Sequence, residues 1–272
     1  MILFPTAKIN IGLRITGKRP DGFHDIETIF YPVPLSDALE YVISDKQDYK
    51  DLLTVTGIDT GSDTDNNLVI KAVLKLREER DYPYLKIHLH KAIPVGAGLG
   101  GGSSDAACML KVVNRHLELN IEPEIIRSKA MELGSDCTFF IDCVPALASG
   151  RGEILTSVKS TLSGYYLVIL NPGVGINTRE AYLNCKPAIP STGLLKLYSL
   201  PIQEWKGKIL NDFEDFAFRK HPVIEDFKEE LYNSKAIFSL MSGSGSSVYG
   251  IFSGKPELPG KLKEYIIWEG VL

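Results

Sequence analysis

The residues best suited to chemistry lie between Pro94 and Ala107, which read P-V-G-A-G-L-G-G-G-S-S-D-A-A. Five glycines (Gly96, Gly98, Gly100, Gly101 and Gly102) run directly into the hydroxyl pair Ser103 and Ser104. A connecting turn needs one or two glycines. This density lets the backbone enter φ > 0 repeatedly and approach a ligand closely. Leu85 to His90 alternates apolar and polar residues, the pattern of a strand. Asp105 to Val113 is a helix-forming run. A strand therefore feeds a glycine loop that opens a helix. The first N–H groups of a helix lack internal partners and sit at the positive end of its dipole, so phosphate is the expected guest.

Two other phosphate motifs fit less well. Gly96-Ala97-Gly98-Leu99-Gly100-Gly101 matches G-x-G-x-x-G, but a dinucleotide fold needs a second strand ending in an acid about 20 residues on. Here that distance reaches Glu118-Leu119-Asn120 at a helix end, followed by another helical run. No Gly-Lys-Ser/Thr closes the loop as a Walker motif requires.

Other groups with chemical potential are scattered along the chain. Lys8 and Asn10 share one face of an alternating strand near the start. Phe23 and His24 follow a Pro-Asp-Gly turn. Asp136 lies just past a helix that Gly134 is expected to stop. Ser242 to Ser247 is a second glycine–serine loop between two strands. His88 and His90 share a strand face, but without a third ligand they do not make a metal site.

The elements positioning these groups follow from periodicity. Strands are expected over Ile26 to Tyr31 and Leu39 to Ser44, paired antiparallel because the connection is short. Leu68 to Arg80 is amphipathic at helical spacing, with Asn66 or Asn67 as its cap. Helices are expected from Ile125 to Leu133, from Thr178 as N-cap, from Val223 to Leu231, and from Leu258 to Trp268. Further strands are expected at Tyr165 to Asn171, Ala236 to Met241 and Val248 to Phe252.

Composition sets the outer limits. The 272 residues are 44% hydrophobic and 24% charged, with a net charge of -4, an ordinary globular balance that argues against a nucleic-acid partner. No apolar run has membrane-spanning length and no signal peptide opens the chain, so a cytoplasmic protein is expected. Cys108, Cys137, Cys143 and Cys185 form no C-x-x-C pair and are expected as free thiols.

The central loop resembles the phosphate loop of the GHMP kinases, and its G-L-G-G-G-S-S-D-A-A form is similar to that of the 4-diphosphocytidyl-2-C-methyl-D-erythritol kinase family. A-K-I-N at Ala7 to Asn10, D-G-F-H at Asp21 to His24, G-S-D-C-T-F-F at Gly134 to Phe140, N-D-F-E at Asn211 to Glu214 and M-S-G-S-G-S-S at Met241 to Ser247 resemble further family segments. The resemblance implies an α+β, two-domain GHMP kinase fold. A mixed-sheet N-terminal domain would span 1–155 and a ferredoxin-like C-terminal domain 156–272, with the active site in the cleft between them.

It also implies a function: ATP-dependent phosphorylation of the 2-hydroxyl of 4-diphosphocytidyl-2-C-methyl-D-erythritol, in the non-mevalonate route to isoprenoids. ATP and Mg²⁺ are the implied cofactors. Pro94, Gly96, Gly98, Leu99, Gly100, Gly101, Gly102, Ser103 and Ser104 would hold the phosphates, with Ser103 or Ser104 on the metal. Asn67 and Leu68 would lie beside the adenine and Lys91 near the ribose. Lys8 and Asp136 would be catalytic. Asn10, Phe23, His24, Asp136, Thr178 and Tyr182 would contact the substrate, with Phe23 and Tyr182 stacking on cytosine and His24 bonding its edge. The partner is a small molecule, and no oligomeric state is implied. A sibling alcohol kinase would lack the paired aromatics, and a non-catalytic ATP-binding regulator would need neither Lys8 nor Asp136.

Overall fold

The computed structural model describes residues 1–45, 50–59, 61 and 64–272. In chain order the elements are β1 (Ile2–Leu3), β2 (Thr6–Lys18), β3 (His24–Ser36), β4 (Ala38–Ile43), β5 (Leu52–Gly57), α1 (Leu68–Arg77) and β6 (Leu85–Lys91). Then come α2 (Gly101–His116), α3 (Pro123–Leu133), α4 (Ser135–Asp142), β7 (Ala146–Ser149), β8 (Ile154–Ser157), β9 (Tyr166–Leu170), α5 (Thr178–Leu183) and α6 (Leu194–Tyr198). The chain finishes with α7 (Glu214–Lys220), α8 (Val223–Asn233), β10 (Phe238–Met241), β11 (Val248–Phe252), α9 (Gly260–Lys263) and β12 (Ile266–Val271).

These elements form two compact units, each assembled from separate stretches of chain. The first comprises Met1–Ala7, Pro34–Val95 and Gly100–Val144; the second comprises Lys8–Val33, Gly96–Leu99 and Pro145–Leu272. The 155/156 boundary expected from the sequence falls inside β8, whose residues pair with β7 from Ala146 to Ser149.

The first unit is built on a mixed sheet in the order β1-β4-β6-β5, with β4 antiparallel and β5 parallel to β6. The alternation in β6 turns Leu85, Ile87 and Leu89 inward and His88 and His90 outward. Those inward residues join Val69, Val73 and Leu76 of α1 and Met109, Leu110 and Val113 of α2 in one core. Burying each such side chain contributes roughly 1.5–3 kcal/mol. Asn67 caps α1, accepting the N–H of Val69 at 2.9 Å.

The second unit holds two sheets, β2-β3-β7-β8 and the antiparallel β10-β11-β9-β12. Val168 and Leu170 of β9 pack with Ile224, Phe227 and Leu231 of α8 in its core.

Three local expectations are corrected. β3 and β4 belong to different sheets and do not pair, although only one residue, Asp37, separates them. Leu258 to Trp268 is not one helix: α9 has four residues, and β12 pairs with the otherwise open edge of β9, which outweighs a local helical pattern. Asn177, not Thr178, is the N-cap of α5, accepting the N–H of Glu180 at 3.1 Å.

Candidate active site

In the second unit the chemistry gathers around Lys8. Its side chain is 3% exposed, and its Nζ donates to Asn10 Oδ1 and, at 3.1 Å, to the carbonyl of Gly98. The Phe30 ring lies 5.0 Å below the ammonium, a further favourable contact. The Lys8 N–H bonds to the Leu99 carbonyl at 2.9 Å, so strand and glycine loop are tied by main chain as well as side chain. Asn10 donates its Nδ2 to Thr28 Oγ1 at 2.9 Å and its backbone N–H to Ser242 Oγ at 3.1 Å. Ser242 Oγ in turn donates to the Gly98 carbonyl at 2.8 Å.

Gly98 is therefore the meeting point of Lys8 and the second glycine–serine loop. Its φ is +77°, and a Cβ there would lie 1.9 Å from the Ser242 carbonyl oxygen, so only glycine fits. Asn211 holds that second loop from behind, its Nδ2 donating to the carbonyls of Met241 and Gly243, each at 2.8 Å. Glu214 accepts the Met241 N–H at 3.0 Å, and burial raises its carboxyl above the usual range. The N-D-F-E string is thus a brace.

The aromatic residues in this unit are arranged differently from expectation. His24 stacks directly on Tyr182, with ring centroids 5.0 Å apart and planes 17° from parallel, and Phe213 meets Tyr182 edge-on. That spacing leaves no room for a third ring between His24 and Tyr182. Phe23 is 55% exposed, with the Arg151 guanidinium 4.7 Å from its ring centroid. Thr178 Oγ1 lies 2.9 Å from Ser244 Oγ of the glycine–serine loop.

In the first unit the glycine loop runs into α2. Gly100 takes the left-handed conformation (φ +73°), and no side chain caps the helix behind it. Ser104 N–H already makes the helical bond to the Gly100 carbonyl, which leaves the amides of Gly101, Gly102 and Ser103 without intrahelical partners at the start of a 16-residue helix. None of residues 100 to 102 carries a Cβ. Leu68, beside Asn67, lies 3.7 Å from the position a Cβ on Gly102 would take. Gly96, at φ +66°, faces open space. A helix start of this kind suits an anion.

Asp136 stands in the first turn of α4, one residue before the buried Cys137, whose thiol burial pushes up to about 11. Gly134 ends α3 and at once begins α4, so Asp136 is fixed on a helix, not carried on a loop. Lys91, expected near a ribose, is instead 3% exposed, its Nζ held between Asp37 and Asp105. His88 Nε2 and His90 Nδ1 share the Thr56 hydroxyl at 2.8 and 3.0 Å. Among the described residues no group of three or more His, Cys, Asp or Glu could hold a metal ion, and no helix is long and apolar enough to cross a membrane. All four cysteines are free.

Comparison with known proteins fits this geometry. Residues 67–150 match the model of the GHMP kinases N terminal domain and residues 202–263 that of the GHMP kinases C terminal domain. The 4-diphosphocytidyl-2-C-methyl-D-erythritol kinase of Parabacteroides distasonis is 48% identical, with 100% of both chains covered. The chain belongs to this family of GHMP kinases. The kinase of the same name from Cytophaga hutchinsonii is 41% identical over 94% of each chain. A crystal structure of 4-(cytidine 5'-diphospho)-2C-methyl-D-erythritol kinase superposes with a TM-score of 0.77 at 29% identity, covering 93% of this chain and 91% of that one. A homoserine kinase from Cytophaga hutchinsonii shares the fold at a TM-score of 0.59 and 18% identity, covering 92% and 86%. As a GHMP kinase the protein is an ATP-dependent phosphotransferase with the α+β, two-domain fold of the family, and it acts on a small molecule.

Three supporting residues of this GHMP kinase were not singled out by sequence. Ser242 and Asn211 lay inside recognised strings, but nothing local marked which atom mattered. Thr28, which bonds Asn10, carried no signal at all.

Proposed function

We propose that this kinase transfers the γ-phosphoryl group of ATP to the 2-hydroxyl of 4-diphosphocytidyl-2-C-methyl-D-erythritol. A bond forms between the hydroxyl oxygen and the γ-phosphorus, the bond to the bridging β–γ oxygen breaks, and ADP leaves. The observation that carries the phosphoryl chemistry is the glycine loop: the Gly98 carbonyl is pinned by Lys8 and Ser242, and the amides that follow are uncapped. Full-length identity of 48% to a kinase of that name supports the choice of acceptor.

Phosphoryl transfer asks for positioning and for charge stabilisation. The amides from Gly98 to Ser103 bind the β- and γ-phosphates, with Pro94, Gly96 and Leu99 shaping the loop and the Ser104 amide kept by the Gly100 carbonyl. Asn67 and Leu68 border the adenine. Lys8 offsets charge on the γ-phosphate, and Asp136 orients the acceptor hydroxyl and takes its proton. Mg²⁺ is hard, takes oxygen ligands and is usually shared with substrate phosphates. The hydroxyl of Ser103 or Ser104 would hold it, and it would neutralise phosphate charge there. The protein works in the cytoplasm and binds no nucleic acid.

Cytosine recognition belongs to Phe23, His24 and Tyr182, with Asn10 and Thr178 nearby in the substrate's path. Since His24 covers Tyr182, the base displaces the imidazole to stack there, and the displaced ring is then free to bond the base edge. Stacking on a base is worth about 1–3 kcal/mol per aromatic. Phe23→Ala and Tyr182→Ala are each expected to raise KM for the cytidylyl substrate by roughly 5- to 150-fold while KM for ATP holds. Steady-state kinetics with both substrates varied checks this. Unchanged KM for the cytidylyl substrate in both variants would remove these rings from the binding site.

A further inference from the structure

Three buried charges in the first unit have no part in the chemistry described so far. Lys91 ends β6, Asp37 lies between β3 and β4, and Asp105 sits in the second turn of α2; they are 3%, 0% and 1% exposed. Lys91 Nζ donates to Asp37 Oδ2 and, at 2.8 Å, to Asp105 Oδ2. Asp37 Oδ1 accepts the N–H groups of Ala92 and Ile93 at 2.6 and 2.8 Å, which fixes the stretch of chain leaving β6. Asp105 Oδ1 is buried with no hydrogen-bond partner among the described residues.

Such a cluster is costly. Two carboxylates share one ammonium, and buried ion pairs rarely outperform well-packed apolar residues of the same volume. Stability alone is a weak account of it. Its location is informative: a Cβ on Gly101, the first residue of α2, would lie 3.2 Å from Lys91 Nζ and 2.9 Å from Ile93 Cγ2. The ammonium therefore sits against the same helical turn whose amides face the phosphates. From there it reaches Asp105 one turn further along α2 and Asp37 on the sheet side. The ion pairs link the two secondary elements that flank the glycine loop, β6 before it and α2 after it.

We infer that Lys91, Asp37 and Asp105 are positioning residues for ATP, fixing the first turn of α2 against the end of β6 so that its amides meet the phosphates in register. The inference rests on the reading of that turn as the phosphate site. Lys91 then acts as a strut inside the protein, not as a ligand of the ribose.

The test compares Asp105→Ala with the isosteric Asp105→Asn, which keeps an oxygen for Lys91. ATP binding is measured directly by calorimetry, alongside KM for both substrates and kcat. A hydrogen bond to a charged group is worth about 1.5–3 kcal/mol, so Asp105→Ala is expected to weaken ATP binding by about tenfold or more, in Kd and KM alike. KM for the alcohol is expected to hold, and Asp105→Asn to recover ATP affinity to within about threefold of wild type. A wild-type Kd for ATP in a folded but less thermostable Asp105→Ala protein would reduce the cluster to a structural role and overturn the inference. So would a uniform loss affecting both substrates equally.

Should Asp105→Ala not fold, Asp37→Asn carries the same comparison. It keeps Oδ1 for the Ala92 and Ile93 amides and turns an NH₂ group toward Lys91. A selective rise in Kd for ATP supports the inference and an unchanged value overturns it. Failure of the phosphate-site reading itself shows separately, as wild-type protein that binds no ATP.

Discussion

Replacing Lys8 by Ala, or Asp136 by Asn, is expected to lower kcat by roughly 100-fold or more with ATP binding nearly intact. Positioned general acid–base groups and preorganised charges each contribute on that scale. For Lys8 the argument is geometric. A buried ammonium is held by one amide oxygen and one carbonyl, and that carbonyl belongs to the glycine loop. An ammonium so placed is preorganised, so directing its charge at a phosphate would need little rearrangement. Asp136 is fixed in the first turn of α4, and α4 packs against α2 within the same unit. Asn at 136 preserves shape and removes the carboxylate charge. The check is single-turnover kinetics on folded variants with calorimetric Kd for ATP. Near-wild-type turnover in either variant would take that residue out of the chemistry.

Gly98→Val is expected to abolish tight ATP binding. A Cβ at this position collides with the Ser242 carbonyl at 1.9 Å, and the left-handed φ of +77° is unfavourable for a branched residue. Relieving the collision means moving either the loop or the Met241–Ser247 segment, and both bonds to the Gly98 carbonyl go with it. If two phosphate–amide bonds are lost as a result, at about 1.5 kcal/mol each, the drop in affinity is roughly 100-fold. Gly96→Ala is the control: the residue faces open space, so only backbone strain opposes the change. Calorimetry that finds both variants binding ATP as wild type does would mean the loop does not contact the nucleotide.

Much of the local structure was legible in the chain. The alternation of Leu85, Ile87 and Leu89 fixed which face of β6 is buried, and the glycine run marked the strand-to-helix passage, with Gly100 in the left-handed region the motif requires. Asn67 advertised itself as a cap. What was not legible depends on partners far away in sequence. The bond from Ser242 to Gly98 spans 144 residues, and the pairing of Lys91 with Asp37 spans 54. Lys91 reads as a strand-end lysine facing solvent or ligand until Asp37 and Asp105 are seen beside it. Leu258 to Trp268 reads as a helix from the chain alone; the open edge of β9 makes Ile266–Val271 a strand instead. The stacking of His24 on Tyr182 joins residues 158 positions apart.

The most direct test of the account is ATP turnover by the purified protein against a panel of alcohols: 4-diphosphocytidyl-2-C-methyl-D-erythritol, its uridine analogue, free 2-C-methyl-D-erythritol, mevalonate and homoserine. A site that bonds the edge of one base rejects another, because the wrong edge leaves buried polar groups unpaired. Efficient phosphorylation of the cytidylyl compound is expected, with weak turnover of the uridine analogue and weaker still of the rest. Efficient turnover of mevalonate or homoserine with none of the cytidylyl compound would contradict it.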